Sequence, residues 1–300
     1  HRRFDRHSLP VQVPEPRRRL VWFDRAGTQT PVPAEPRPYA RISRGPDGRR
    51  VAVAVEGRGN TDVWIVDLER GASSRLTTSP VIETAPVWSP DGKWIVFRSE
   101  RAGPGLFRRD AAATGPVEQI TSTDGPIHSP SAWSADSRSL FLSLFRSHNR
   151  QAIARVDPPD STVTVLLDGD YGQTEPRLSP DGRWLSYQSD ESGRPEIYVR
   201  PYPDLEAGRW QVSSGGGSTP RWSPDGRELL YHDGRGVVAA RVRTTDRFEV
   251  TGTRKLFDVA PFGGQSLDFE LSPDGRRLLF VIPEPDPPPV DTRLVVVQGW

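Results

Sequence analysis

A ring of six four-stranded antiparallel blades, all-β throughout, is the fold this sequence predicts. Three observations predict it. A Ser-Pro-Asp-Gly tetrapeptide or a near copy recurs six times, the interval is almost fixed, and a β-rich run follows every copy. The serines Ser43, Ser89, Ser134, Ser179, Ser223 and Ser272 stand 46, 45, 45, 44 and 49 residues apart. Periods in this range belong to solenoids, propellers and arrays. A helical repeat would add a 3.6-residue apolar rhythm, and none is sustained over three turns. The remaining architecture is a six-bladed β-propeller.

Each copy follows a large apolar residue: Ile42, Trp88, Trp133, Leu178, Trp222 or Leu271. Runs such as Val51–Val55, Trp94–Phe97 and Leu278–Val281 come after it. Proline presets φ at the second place of a tight turn, aspartate bonds its own backbone, and glycine takes the left-handed conformation that follows. Each copy therefore reads as a hairpin between two strands. Third strands follow at Asp62–Asp67 and Glu196–Arg200, for example, and fourth strands at Ser74–Thr77 and Trp210–Ser213. The third copy is degenerate, with Ala135 and Ser137 in place of proline and glycine. The first runs Ser43-Arg44-Gly45-Pro46-Asp47-Gly48 and reads as carrying two inserted residues. The last blade has only the runs at Leu278 and Leu294–Val297 after its motif. The N-terminal segment Leu20–Asp24, with its turn Arg25-Ala26-Gly27, is expected to supply the missing strand and close the last blade, since an open ring leaves a bare sheet edge.

Composition fits a single ring over residues 20–300. Apolar content is 34%, with 31 prolines and 27 glycines, which suits many short strands and turns. The nine tryptophans are expected between blades. Net charge is +1, so no strong field favours nucleic acid or a membrane surface. No apolar stretch approaches transmembrane length. There is no cysteine, which excludes disulfides and thiolate metal sites and fits a periplasmic location. There is no methionine, even at position 1, so an excised or processed part of a longer chain is expected. Residues 1–19, rich in arginine and proline, read as a polar extended linker; a juxtamembrane segment touching anionic lipid is the alternative. The run Pro283–Pro289 reads as a stiff exposed connection.

The sequence resembles the TolB-type propeller family, whose repeat centres on a Trp/Leu-Ser-Pro-Asp-Gly turn. Within it, the chain is most similar to the propeller that follows the kinase domain and membrane helix of some bacterial serine/threonine protein kinases. Leu20–Gly27, Asn60–Trp64, the fifteen-residue run Ser189–Pro203, and Trp210–Ser213 with Gly215–Gly217 carry that likeness. The resemblance implies an extracytoplasmic domain, periplasmic or at the cell surface of a bacterium, in the sensor or scaffold half of a membrane protein. No kinase signature lies in these residues: there is no Gly-rich phosphate loop, His-Arg-Asp or Asp-Phe-Gly.

Nor does the sequence carry an enzyme motif of its own. It lacks a Gly-x-Ser-x-Gly elbow, and His1, His7, His128, His148 and His232 show no metal-ligand spacing. No cofactor or metal is implied. The repeated aspartates read as turn residues and Gly215–Gly217 as a loop between blades. Propellers bind at the mouth of the channel, where loops feed the innermost strands. Alignment on the motif serine puts Arg37, Glu83, His128, Gln173, Gly217 and Ser266 in one ring there. Tyr39, Ala85, Pro130, Glu175, Thr219 and Asp268 fall two residues further on. The ligand-binding candidates are Arg37, Tyr39, Glu83, His128, Gln173, Glu175 and Asp268. Alanine at Glu83 or His128 is then expected to leave stability nearly unchanged. Arg41, Arg177, Arg221 and Glu270 share one deeper position and read as a charged channel network, with salt bridges between blades. The expected function is non-catalytic recognition of a protein, peptide or glycan by a monomer. The alternatives are the substrate-gating propeller of a prolyl-oligopeptidase or dipeptidyl-peptidase type enzyme, and a free periplasmic TolB-like adaptor.

Overall fold

The computed structural model describes residues 17–57, 59–122, 126–146, 150–245, 247–259 and 268–285. Among them every regular element is a strand, and the strands form six four-stranded antiparallel sheets. The chain opens with β1 (Arg18–Asp24) and β2 (Gln29–Pro31). Blade 1 is β3 (Tyr39–Arg44), β4 (Arg50–Glu56), β5 (Thr61–Asp67) and β6 (Ser73–Arg75). Blade 2 is β7 (Glu83–Trp88), β8 (Trp94–Ser99), β9 (Gly105–Asp110) and β10 (Glu118–Gln119). Blade 3 is β11 (Ile127–Trp133), β12 (Leu140–Phe145), β13 (Gln151–Val156) and β14 (Val163–Leu167). Blade 4 is β15 (Gln173–Leu178), β16 (Trp184–Ser189), β17 (Glu196–Pro201) and β18 (Trp210–Gln211). Blade 5 is β19 (Ser218–Trp222), β20 (Glu228–His232), β21 (Gly236–Arg243) and β22 (Glu249–Asp258). The sixth sheet runs β23 (Phe269–Leu271), β24 (Arg277–Pro283), β1, β2. In it β1 pairs with β24 from Arg18↔Pro283 to Asp24↔Arg277, starting two residues before the strand read at Leu20. The strand expected at Leu294–Val297 and residues 1–16 of the expected linker lie outside the described residues.

One hydroxyl organises the hairpin in five of the six blades. In blades 2 to 6 the motif serine donates to the aspartate Oδ1 two residues on, at 2.6, 2.6, 2.5, 2.6 and 2.5 Å. The serine Oγ in turn accepts the backbone N–H of Trp94, Ser139, Trp184, Glu228 or Arg277. That clasp is the leading cause holding the Asp136, Asp225 and Asp274 carboxyls below the usual range. The fourth residue of the turn needs φ near +70°, as at Gly92 (74°) and Gly182 (73°); Ser137 takes it at 60° without being glycine.

Blade 1 departs from the sequence reading. Gly45 N–H donates to the Arg50 carbonyl at 2.8 Å and Gly48 N–H to the Gly45 carbonyl at 3.1 Å. Those are the bonds Ser89 and Gly92 make in blade 2, at 2.8 and 2.9 Å. Gly45 therefore holds the serine position, nothing is inserted, and the interval to Ser89 is 44 residues. Ser43 instead reaches across to blade 2, where its Oγ accepts the Trp88 N–H at 2.9 Å. Every equivalence in blade 1 moves by two residues as a result.

The two middle strands of each sheet bury both faces, so they alternate between two cores rather than between core and water. Along β1, Leu20 and Trp22 pack with Tyr39, Val51 and Val53 of blade 1. Val21 and Phe23 pack with Leu230 and Val237 of blade 5. Phe23 stacks on Phe257 at 5.2 Å between ring centroids and meets Phe280 edge-on at 5.1 Å.

Replacing Ser179 by alanine should lower stability by about 1–2 kcal/mol, because the buried Trp184 N–H loses its acceptor and Asp181 its donor; urea denaturation reads this directly. Ser137→Gly relieves the left-handed backbone and should raise stability by up to about 1 kcal/mol, seen as a higher Tm.

Candidate binding site in the central channel

The innermost strand of each blade runs from a strand-start face to a turn face. In blades 1 to 5 its pairing slips once, between Tyr39 and Ile42, Thr84 and Val87, Pro130 and Ala132, Thr174 and Arg177, and Ser218 and Arg221. The bulged residue takes φ +51° at Ala85, +54° at Glu175 and +56° at Thr219. A bulge re-aims its side chain. With blade 1 shifted, Arg41 occupies the place of Glu175 and Asp268, not that of Arg177 and Arg221.

These residues meet at the axis. Arg41 Nη1 of blade 1 bonds Glu175 Oε1 of blade 4 at 2.9 Å, joining opposite blades of a ring of six. Arg221 Nη2 bonds Asp268 Oδ1 at 2.6 Å, with Glu270 at 3.6 Å from its Nε and Glu175 at 3.9 Å from its Nη1. Arg177 donates through Nη1 to the Ser131 carbonyl of blade 3. Three guanidinium groups balance three carboxylates. All come from blades 4, 5, 6 and 1, whereas blades 2 and 3 present Ala85, Val87 and Pro130. The gap left at this level is about 20 Å³, room for about one water. Of the four residues read as one channel network, Arg221 and Glu270 meet across blades 5 and 6, and the salt bridges at this level also take in Glu175 and Asp268 from the expected mouth.

The network also serves the backbone. An innermost strand has an edge with no partner strand, whose polar groups must be satisfied. Asp268 Oδ2 accepts the Ile42 N–H at 3.2 Å. Ser143 Oγ takes the Glu175 N–H at 3.2 Å, and Arg221 Nε donates to the Phe269 carbonyl at 2.9 Å. Burial alone would raise the Glu175 carboxyl, but Arg41, Arg221 and Arg177 outweigh it and hold it at about 2. Glu175 in turn raises the Arg41 guanidinium above its usual value. Burial, followed by repulsion from Arg221, lowers Arg177 to about 10, so Arg177 and Glu175 both stay charged at neutral pH. Neither Glu175 nor Arg177 changes its charge near neutral pH, where acid–base catalysis needs a group to titrate. Among the described residues no cluster of three or more His, Cys, Asp or Glu could hold a metal.

The other expected mouth residues sit elsewhere. Glu83 is fully buried, accepts from Ser99 Oγ at 3.0 Å and pairs with Arg101. His128 is buried with Nδ1 3.0 Å from Thr121 Oγ1, and burial pushes its pKa down. Gln173 is buried. Tyr39, also buried, donates its hydroxyl to the Glu35 carbonyl at 2.7 Å. Arg37, displaced by the shift in blade 1, lies 4.6 Å over the Trp64 ring. Ser266 and His148 fall outside the described residues. The N–H groups of Gly215 and Gly216 are taken by Glu196 Oε1, at 2.8 and 2.9 Å. Sequence reasoning missed what the strand-start face does expose: Ile82, Phe145 and Tyr171, at 41%, 37% and 48%. Their only sequence signal is position, one residue before Glu83, two before Gln173, and opposite Ile127 in the β11–β12 pairing.

Alanine at Glu83 should cost about 1–3 kcal/mol of unfolding free energy, because a buried hydroxyl and a guanidinium lose their acceptor. The Glu175 carboxyl, depressed from 4.5 to about 2, contributes stability that is complete above pH 4.5 and disappears as pH falls through about 2. The contribution is on the order of 3 kcal/mol. Glu175→Gln should remove that part of the acid-induced loss while weakening the fold at pH 7; paired denaturation series at pH 7 and pH 3 test both.

The family model described as the TolB beta propeller domain matches residues 42–172 and 109–281. An uncharacterized protein of Agrobacterium fabrum is 29% identical over 135 residues, covering 42% of this chain and 46% of the relative. The Tol-Pal system protein TolB of Francisella tularensis subsp. mediasiatica is 29% identical over 126 residues, 42% of this chain and 28% of its own length. The aligned stretch thus spans less than half of either relative. A TolB-type structure from Agrobacterium tumefaciens superposes with a TM-score of 0.72 at 20% identity, over 91% of this chain and 100% of that one, a likeness of fold. Two overlapping family matches that together run from residue 42 to 281, on six blades built from one turn, show that this chain belongs to the TolB β-propeller family.

Proposed function

We propose that this domain is a non-catalytic recognition module that works outside the cytoplasm and grips a protein or peptide segment on its strand-start face. The observation that carries this reading is the exposure of Ile82, Phe145 and Tyr171 there. Large apolar side chains exposed on one face mark interaction sites, and a few residues carry most of the binding energy. Beneath them the balanced charges of the channel offer fixed hydrogen-bonding partners and no reactive group. The relation to a Tol-Pal system protein supports a free adaptor. The fifteen-residue run Ser189–Pro203 supports a second reading, the sensor domain of a larger membrane protein such as a serine/threonine kinase.

The test uses affinity capture from a bacterial periplasmic extract. Ile82→Asp with Tyr171→Asp should leave the unfolding free energy within about 0.5 kcal/mol of wild type. The same pair should reduce captured partner about tenfold or more. Equal capture by wild type and the double variant would overturn the assignment of this face.

A further inference from the structure

Blade 5 ends in a strand unlike the outermost strand of the other blades. β22 is 10 residues long, whereas β2, β6, β10, β14 and β18 have 3, 3, 2, 5 and 2. Among the described residues no strand lies beyond it, and residues 251–255 are all exposed. A long open edge carries a row of backbone N–H and C=O groups that a further strand can pair, and folds usually shorten, cover or bend such an edge. Two bulges flank this one. Their extra residues, Thr251 and Leu256, both lie on β22, and between them residues 252–255 pair with residues 238–241 without a break. A regular window is thus left open on the outer side of the blade.

The charges beside this window do not balance. Opposite residues on paired strands share a face, as do residues two apart on one strand. Glu228, Arg241 and Gly252 form one cross-strand row, and Arg254 follows on the same face two residues beyond Gly252. Glu228 is already held by Arg25 of β1. Arg243 is paired with Glu249, and Lys255 with Asp258 at 2.5 Å and Asp233 at 3.5 Å. Arg241 and Arg254 are both exposed and form no ion pair among the described residues. Gly252 puts no side chain between Arg241 and the open edge, and no atom lies within 4 Å of where its Cβ would stand. An open backbone edge and two uncompensated guanidinium groups therefore adjoin on one face.

We infer that the outer edge of blade 5 takes an acidic, extended segment of a partner protein as a fifth strand. The backbone of that segment completes the open N–H and C=O groups of residues 252–255, and every second side chain falls on the face of Arg241 and Arg254. Carboxylates two apart in the segment meet the two guanidinium groups, which match them in charge and in planar geometry. A nucleic acid brings the charge without the backbone amides, and a neutral strand leaves the arginines unmatched; an acidic peptide satisfies both. The edge lies on the outer rim of the ring, so this surface stands or falls separately from the strand-start face.

The experiment titrates the intact domain into a fluorescein-labelled Thr-Glu-Val-Glu-Val-Thr peptide and follows anisotropy up to about 0.5 mM protein. The expected result is saturable binding, at least about tenfold weaker for the same peptide with lysine in place of glutamate. Strand addition uses one edge of the peptide. N-methylation of one alternate set of residues should therefore weaken binding about tenfold or more, while methylation of the other set changes it little. Arg241→Glu with Arg254→Glu should weaken binding about tenfold or more; both residues are exposed, so Tm should stay at the wild-type value. No saturable binding, equal binding of the lysine peptide or of a hexathymidine oligonucleotide, indifference to both methylation patterns, or undiminished binding by the double variant is incompatible with strand addition at this edge.

Discussion

The innermost strand of each blade has one edge with no neighbour, and six such edges face a common axis. A sheet edge elsewhere can be hidden under a loop or left in water. Here the space is too narrow for either, so side chains from adjoining blades must complete the backbone. Asp268 caps Ile42, Ser43 caps Trp88, Ser143 caps Glu175 and Arg221 reaches Phe269. The bulges and the charged network follow from that need. A bulge turns Glu175 towards the axis, and a carboxylate so placed must be met by Arg41 and Arg221. What reads as a candidate ligand site is first a solution to a backbone problem.

The repeat is legible because one turn chemistry recurs. Serine, proline, aspartate and glycine each act differently in the hairpin, so their period survives the loss of Pro and Gly at Ala135 and Ser137. Blade 1 misleads for the same reason. Gly45 cannot form the hydroxyl clasp, and Ser43 upstream imitates it, so an alignment on serine follows the side chain rather than the backbone bonds. That slip moves Arg41 away from Glu175 and Asp268, and gives Arg37 a channel role although it lies over Trp64.

The rest is hidden by geometry rather than by composition. Residues at strand starts look like a mouth when loops are assumed to sit above them, yet Glu83, His128 and Gln173 turn into the blades, where Glu83 and His128 bond to their neighbours. The charged ring is visible at Arg177, Arg221 and Glu270, but not the layer above it, because a left-handed bulge residue does not follow the two-residue alternation of a strand. A contact across the axis between residues 134 apart has no period from which it could be read.

The six blades share a turn, a length and a strand order, and in those respects they are interchangeable modules. Their contributions at the axis are not. Charge enters from blades 4, 5, 6 and 1, while blades 2 and 3 bring small or apolar groups. Exchanging blades 2 and 3 would add no charge to the axis and remove none. Duplicating, deleting or transposing any of the other four would leave an arginine or carboxylate at the axis without its partner in a neighbouring or opposite blade. The blades share one turn, but the ion pairs at the axis tie four of the six to their places in the ring.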